Sequence, residues 1–171
     1  DKFHQSEDNK KLTVENILVS DHDDLDQLLA EALRASDRDD PGQAFLSVDL
    51  FWARLAMHIR AEHLHVFPAL LGTSGSPDFQ ILIAELKKDH DFFMRELAGI
   101  IKSLRNIDDA SKNISAELKS RLVMIAERLA AHNESEERVI YPTAAQLESA
   151  QLISMVEKEL KNMPPRFSKA E

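Results

Sequence analysis

One motif occurs twice in this chain, and both times it puts ionisable residues into the apolar stripe of a helix. Residues 58–68 read HIRAEHLHVFP and residues 132–142 read HNESEERVIYP. Both fit H-x-x-x-E-x-x-x-x-[F/Y]-P, with His58, Glu62, Phe67 and Pro68 matched by His132, Glu136, Tyr141 and Pro142. An α-helix turns about 100° per residue, so positions i and i+4 differ by about 40°. His58 and Glu62 therefore share a face one turn apart, as do His132 and Glu136. Each motif is preceded by a segment carrying one more histidine, His22 before the first and His90 before the second. The chain reads as two helical hairpins, each contributing His and then H-x-x-x-E.

The neighbours of these residues are apolar at spacings of three or four, as in a core-facing helix stripe. The stripes run Leu18, His22, Leu25, Leu29; then Phe51, Leu55, His58, Glu62; then Leu86, His90, Phe93, Leu97; then Ile125, Leu129, His132, Glu136. Four imidazoles and two carboxylates thus interrupt surfaces that should face one another. An isolated ionised carboxylate in an apolar interior costs several kcal/mol unless paired, and two close together repel. A divalent cation resolves the conflict. Six ligands suit two ions better than one, about three each if the carboxylates bridge. Imidazole with carboxylate suits iron, manganese or zinc. The chain has no cysteine, which excludes thiolate sites, disulfides and iron–sulfur clusters.

Start and stop signals divide the chain into long helices. Residues 1–11 read as a polar tail. Thr13 caps a first helix through about Ser36. A second runs from about Pro41 to Leu71. GTSGSP is the clearest break, and Ser76 with Pro77 opens a third helix that ends near Arg105. A fourth begins at about Ala116. Residues 146–163 form an amphipathic C-terminal helix and 164–171 a tail. Pro68 and Pro142 should end or kink their helices. The predicted fold is all-α: an antiparallel up-down-up-down four-helix bundle over residues 12–145, with an additional C-terminal helix.

Charge and hydropathy exclude several classes. Lys plus Arg number 21 against 30 Asp plus Glu, a net charge of −9, which argues against nucleic acid and anionic lipid as partners. No apolar run approaches the ~20 residues of a membrane span, and no signal peptide is read. A cytoplasmic protein is expected.

With these residues in place, the chain resembles the hemerythrin-like HHE cation-binding family over about residues 12–145. The resemblance rests on His22 in SDHDDLDQLL, HIRAEHLHVFP, His90 in KKDHDFF, and HNESEERVIYP. It implies a non-haem di-iron centre with two irons per chain. It also implies His22, His58, His90 and His132 as terminal ligands, Glu62 and Glu136 as bridging carboxylates, and oxygen or a related small oxidant at an open position. Zinc and manganese are the alternative metals. Two departures from the oxygen-carrying hemerythrins stand out. Their third helix has a second histidine one turn after the first, where this chain has Met94. Their last motif has an aspartate five residues after the histidine, where Glu136 stands here at four and Glu137 at five. These departures point away from reversible oxygen carriage. They point toward oxidation, peroxide or nitric oxide chemistry, or redox sensing. A metal- and oxygen-binding protein is expected rather than a dedicated enzyme.

Other residues divide between structure and site. His65, one turn past Glu62, is either a replacement for the missing imidazole or a histidine capping the end of the site, the latter preferred. His63 and Glu137, both five after a motif histidine, read as solvent-side or outer partners of the ligands. Phe51, Leu55, Phe93, Met94 and Leu129 read as core that also keeps water from the metals. A sensing role needs a partner output protein, and the C-terminal helix either covers the bundle or makes a homodimer contact. Two other functions are kept. Iron storage or di-iron oxidase activity of the ferritin type needs two E-x-x-H copies; Glu62–His65 spells one and no second exists. A metal-free helical interaction module would tolerate His58→Ala or Glu62→Ala.

Overall fold

A computed structural model describes residues 11–73, 75–108 and 113–167. Apart from Lys11, the predicted N-terminal tail lies outside the described residues, as do Ser74 of the GTSGSP break and residues 168–171. The described chain is helical and contains no strand. None of its helices is long and apolar enough to cross a membrane.

The long helices are α1 (Val14–Asp37), α2 (Pro41–Ala61), α4 (Pro77–Arg105) and α5 (Ala116–Ser135). The shorter ones are α3 (Phe67–Thr73), α6 (Tyr141–Ala145) and α7 (Ala150–Leu160). Their starts follow from local chemistry. Thr13, Asp40, Ser76, Ser115 and Ser149 each accept the backbone N–H of the residue three on, from Asn16, Gln43, Phe79, Leu118 and Leu152. Each bond satisfies a donor that the first turn leaves orphaned. Pro41 and Pro77 open α2 and α4, where the missing N–H has no helical partner to lose. Beyond α1, Asp39 takes the left-handed conformation at φ 54, a place more often held by glycine. Its side chain explains the exception: the carboxylate accepts the Ile114 amide at 3.1 Å and meets Lys119 Nζ at 2.9 Å. The end of α1 is thereby tied to the start of α5.

Of the two outcomes expected of the motif prolines, ending the helix does not occur at either. Glu62–Val66 and Glu136–Ile140 are π-helical, and they join α2 to α3 and α5 to α6 without a break. The amides of Phe67 and Tyr141 bond the carbonyls of Glu62 and Glu136, five residues back. In a regular helix a proline ring clashes with the carbonyl four residues earlier; the wider turn makes room for it. Helix therefore extends to Thr73 rather than Leu71. The C-terminal helix is also shorter than predicted, since Glu148 at φ 48 makes a turn before α7. The predicted tail is in part structured: Pro165–Phe167 form a 3-10 turn, and the two terminal guanidinium nitrogens of Arg166 donate to the Asp49 carboxylate on α2.

Two apolar clusters form the core. One gathers Leu25, Leu29, Phe51, Leu55, Phe93, Leu97, Ile125 and Leu129; the other gathers Leu18, Ala61, Phe67, Leu86, Ile140, Tyr141 and Val156. The chain passes between them at His22, at His58, at His90 and at His132, in the opposite sense each time. The titratable residues thus form a layer between two dry halves. α7 buries Leu152 and Val156 in the second cluster.

Candidate metal centre

All six residues singled out from the sequence meet in this layer. His22, His58, His90 and His132 are buried, and Glu62 and Glu136 are 0% exposed. His22, His58 and Glu136 bring one donor atom each within 4.8 Å of one another, and so do His90, His132 and Glu136. Glu136 Oε1 lies 3.3 Å from His22 Nε2 and 3.2 Å from His132 Nε2, so it stands between the two groups. Glu62 does the same with Oε1, 3.6 Å from His58 Nε2 and 3.3 Å from His90 Nε2.

Every imidazole turns Nε2 inward and Nδ1 outward to a partner. His58 Nδ1 is 2.8 Å from Asp21 and His132 Nδ1 is 3.0 Å from Asp89. His22 Nδ1 is 3.0 Å from Glu137 and His90 Nδ1 is 2.7 Å from His63 Nε2. An ionised carboxylate only accepts, so Nδ1 of His22, His58 and His132 carries the hydrogen. In the neutral ring that leaves the Nε2 lone pair pointing into the layer, the tautomer a metal takes. The wiring repeats: the aspartate before each lone histidine holds the motif histidine of the same hairpin, whereas the residue five after each motif histidine reaches the lone histidine of the other hairpin.

Electrostatics sharpen the picture. Burial pushes the Glu62 carboxyl well up, helped by the charge on Glu136. Burial also acts upward on Glu136, but its close neighbours Glu62, His132 and His22 outweigh it and hold Glu136 low. The two carboxyls are thus pushed in opposite directions. Burial lowers His22 and His132, yet their carboxylate partners outweigh it and the net shift is upward. His90 is pushed down to about 3 by burial and by His132, His63 and His58 around it. Asp21 is raised by burial but held below the ordinary carboxylate range by His58 and by Arg54, whose Nη2 is 2.7 Å away.

The donor set is short of positive charge. Glu62 Oε1 and Glu136 Oε2 are buried and have no hydrogen-bond partner; His90 Nε2 stands 3.3 and 3.8 Å from them without bonding either. An unsatisfied buried oxygen costs about 1–3 kcal/mol, so a natural site with two of them needs a reason. Inward lone pairs and orphaned carboxylate oxygens are what a hard or borderline cation takes. The residues fit such an ion.

Several participants were not found from sequence. Asp21 and Asp89 precede the lone histidines in the paired tripeptide DHD, a repeat that was the available signal. His63 and Glu137 are outer partners, one of the two roles read for them. Tyr141 is more than the aromatic of its motif: its hydroxyl reaches the layer, 2.9 Å from His22 Nε2 and 3.0 Å from His58 Nε2. His65 does not join the site. Its Nε2 faces Glu159 Oε1 of α7 at 3.3 Å, because the π turn rotates it off the line of His58 and Glu62. Met94 packs with the apolar cluster and accepts Trp52 Nε1 at its carbonyl, 3.2 Å away.

Comparison with curated proteins and with solved structures gave no match. The family model for the hemerythrin HHE cation-binding domain matches residues 13–144. That span holds every residue of the layer, and the chain belongs to the hemerythrin HHE cation-binding family.

Proposed function

We propose that His22, His58, His90 and His132, with Glu62 and Glu136 between them, hold two ions of non-haem iron, and that the protein binds or reacts with oxygen or a related small oxidant such as peroxide or nitric oxide. The observation that carries this reading is the set of four inward Nε2 atoms around two fully buried carboxylates with orphaned oxygens. When bound, the metal pair would supply electrons to a small oxidant. The chain's own residues do the rest. Asp21, Asp89 and Glu137 hold the rings in the ligating tautomer. Burial favours the neutral form of Glu62, so cation binding there competes with protons. Phe93, edge-on to His132 at 5.5 Å, and Phe67, stacked on His90 at 6.2 Å, shut water from that half of the layer.

The alternating passage of α1, α2, α4 and α5 through the layer supports an antiparallel up-down-up-down bundle as its frame. The test is to load the protein with ferrous iron without oxygen, remove the excess and count metal per chain. Two irons in the parent and their joint loss in Glu136→Ala are expected, and exposure to oxygen then separates carrier, sensor and oxidase. A chain that retains no iron, manganese or zinc would sink the reading and leave a helical interaction module.

A further inference from the structure

We propose that Tyr141 is itself a metal ligand, its phenolate oxygen binding the ion held by His22 and His58, so that the two ions of the centre are chemically unequal. This rests on the metal reading above and adds a ligand to it.

The hydroxyl of Tyr141 has four neighbours in the layer: His22 Nε2 at 2.9 Å, His58 Nε2 at 3.0 Å, Glu62 Oε2 at 3.1 Å and Glu136 Oε1 at 3.3 Å. A buried tyrosine needs one good hydrogen-bond partner; this one has an excess of acceptors. The phenol has a single hydrogen for these four atoms, and both rings already turn Nδ1 to Glu137 and Asp21. A cation among these atoms resolves the mismatch. Donors bound to one small cation at about 2.1 Å stand about 3 Å apart when at right angles, and the phenol oxygen is spaced from its neighbours in that way. Tyr141 is 0% exposed, on the helix that continues the second motif, so the ring has no open path out of the layer.

The repeat supplies an internal control. Phe67 is the counterpart of Tyr141 in the first motif, and it lies against His90 as Tyr141 lies against His22, with ring centroids 6.2 and 5.3 Å apart. A packing role alone is met by phenylalanine at that place. Only the His22–His58 half has an oxygen added, and the His90–His132 half keeps an apolar wall where the external molecule can approach. Ligation releases the phenolic proton to solvent as the oxygen–metal bond forms, with no change of oxidation state.

The chain has a single tyrosine, so a phenolate signal has one source. The full chain is loaded with ferrous iron, oxidised with ferricyanide and freed of excess reagent. The expected result is a phenolate-to-ferric charge-transfer band in the visible. Resonance Raman excitation within it should show ring modes that shift when the protein carries ring-deuterated tyrosine. Tyr141→Phe should keep two irons per chain and lose the band. Two irons with no such band, or a band that survives in Tyr141→Phe, would overturn the ligand and leave the function proposed above intact. Absence of iron from the parent would overturn both. If Tyr141→Phe does not fold, the isotope shift in the parent decides by itself.

Discussion

His90 Nε2 and His132 Nε2 face each other at 3.0 Å inside the protein, nitrogen toward nitrogen. Only one hydrogen can sit between them. The surroundings assign it: Glu136 and Asp89 favour a charged His132 against its burial, whereas His90, buried and ringed by other imidazoles, is pushed down to about 3. The cost of holding these two rings nitrogen to nitrogen depends on pH.

The metal-free protein should therefore lose stability on the acid side through His90. Unfolded, this histidine takes a proton near its ordinary value of 6.5; folded, it does not until about 3. Between these limits the unfolded state binds more protons, so stability falls as pH drops through the window, by up to about 1.4 kcal/mol per unit of pH. His22 and His132 act in the opposite sense. Their folded values are raised, so their contribution is complete below 6.5 and lost as pH rises through those values. Urea midpoints of metal-free His90→Gln should fall less steeply than the parent's from pH 6.5 downward. Parallel curves would refute the assignment.

Metal should reverse this cost. A cation that binds only the folded state stabilises by about 2.7 kcal/mol at a hundred times its Kd. Ferrous iron or zinc should raise the melting temperature of the parent, and a chelator should return it. Glu136 lies within 3.3 Å of both His22 and His132, so Glu136→Gln should lose most of the gain. An equal rise in parent and variant would place the metal elsewhere.

The outer partners should tune affinity without being required for folding. Asp89→Asn and Glu137→Gln remove the carboxylates that fix His132 and His22. Such losses typically weaken metal binding about 10–100-fold. Asp21→Asn should do the same through His58, and it also weakens the anchor of Arg54. Competition with a chromophoric chelator measures each. Affinities equal to the parent's would mean that packing alone orients the rings.

Much of this layer was legible in the sequence because its residues share a helical period with the core around them. His22 sits between Leu18 and Leu25, and His90 between Leu86 and Phe93, in stripes that must turn inward. The caps at Thr13 and Ser76 were legible for a similar reason, since each acts on a residue three away. What stayed hidden depends on other helices. Asp21 reaches His58 across α1 and α2, and Glu137 reaches His22 across most of the chain. The π turns were hidden because proline reads as a helix breaker until the wider turn before it is seen. Tyr141 was read only as half of an aromatic-proline pair, and nothing local distinguishes its hydroxyl from an ordinary core tyrosine's.

The π turn also settles what His65 should do. On a regular helix it would follow His58 and Glu62 toward the metals. In the structure it meets Glu159 at 3.3 Å, beside α7. Both partners are partly exposed, with side chains 18% accessible, and such a contact is worth about 1 kcal/mol or less. His65→Ala should therefore keep two metals per chain and the parent's metal affinity, with only a small loss of stability on the side of α7. His58→Ala, on the same stretch of chain, should lose metal. The pair of variants is compared by metal analysis after identical loading. If His65→Ala drops to one ion or none, the imidazole belongs to the centre after all, and the rotation imposed by Glu62–Val66 has been given too much weight.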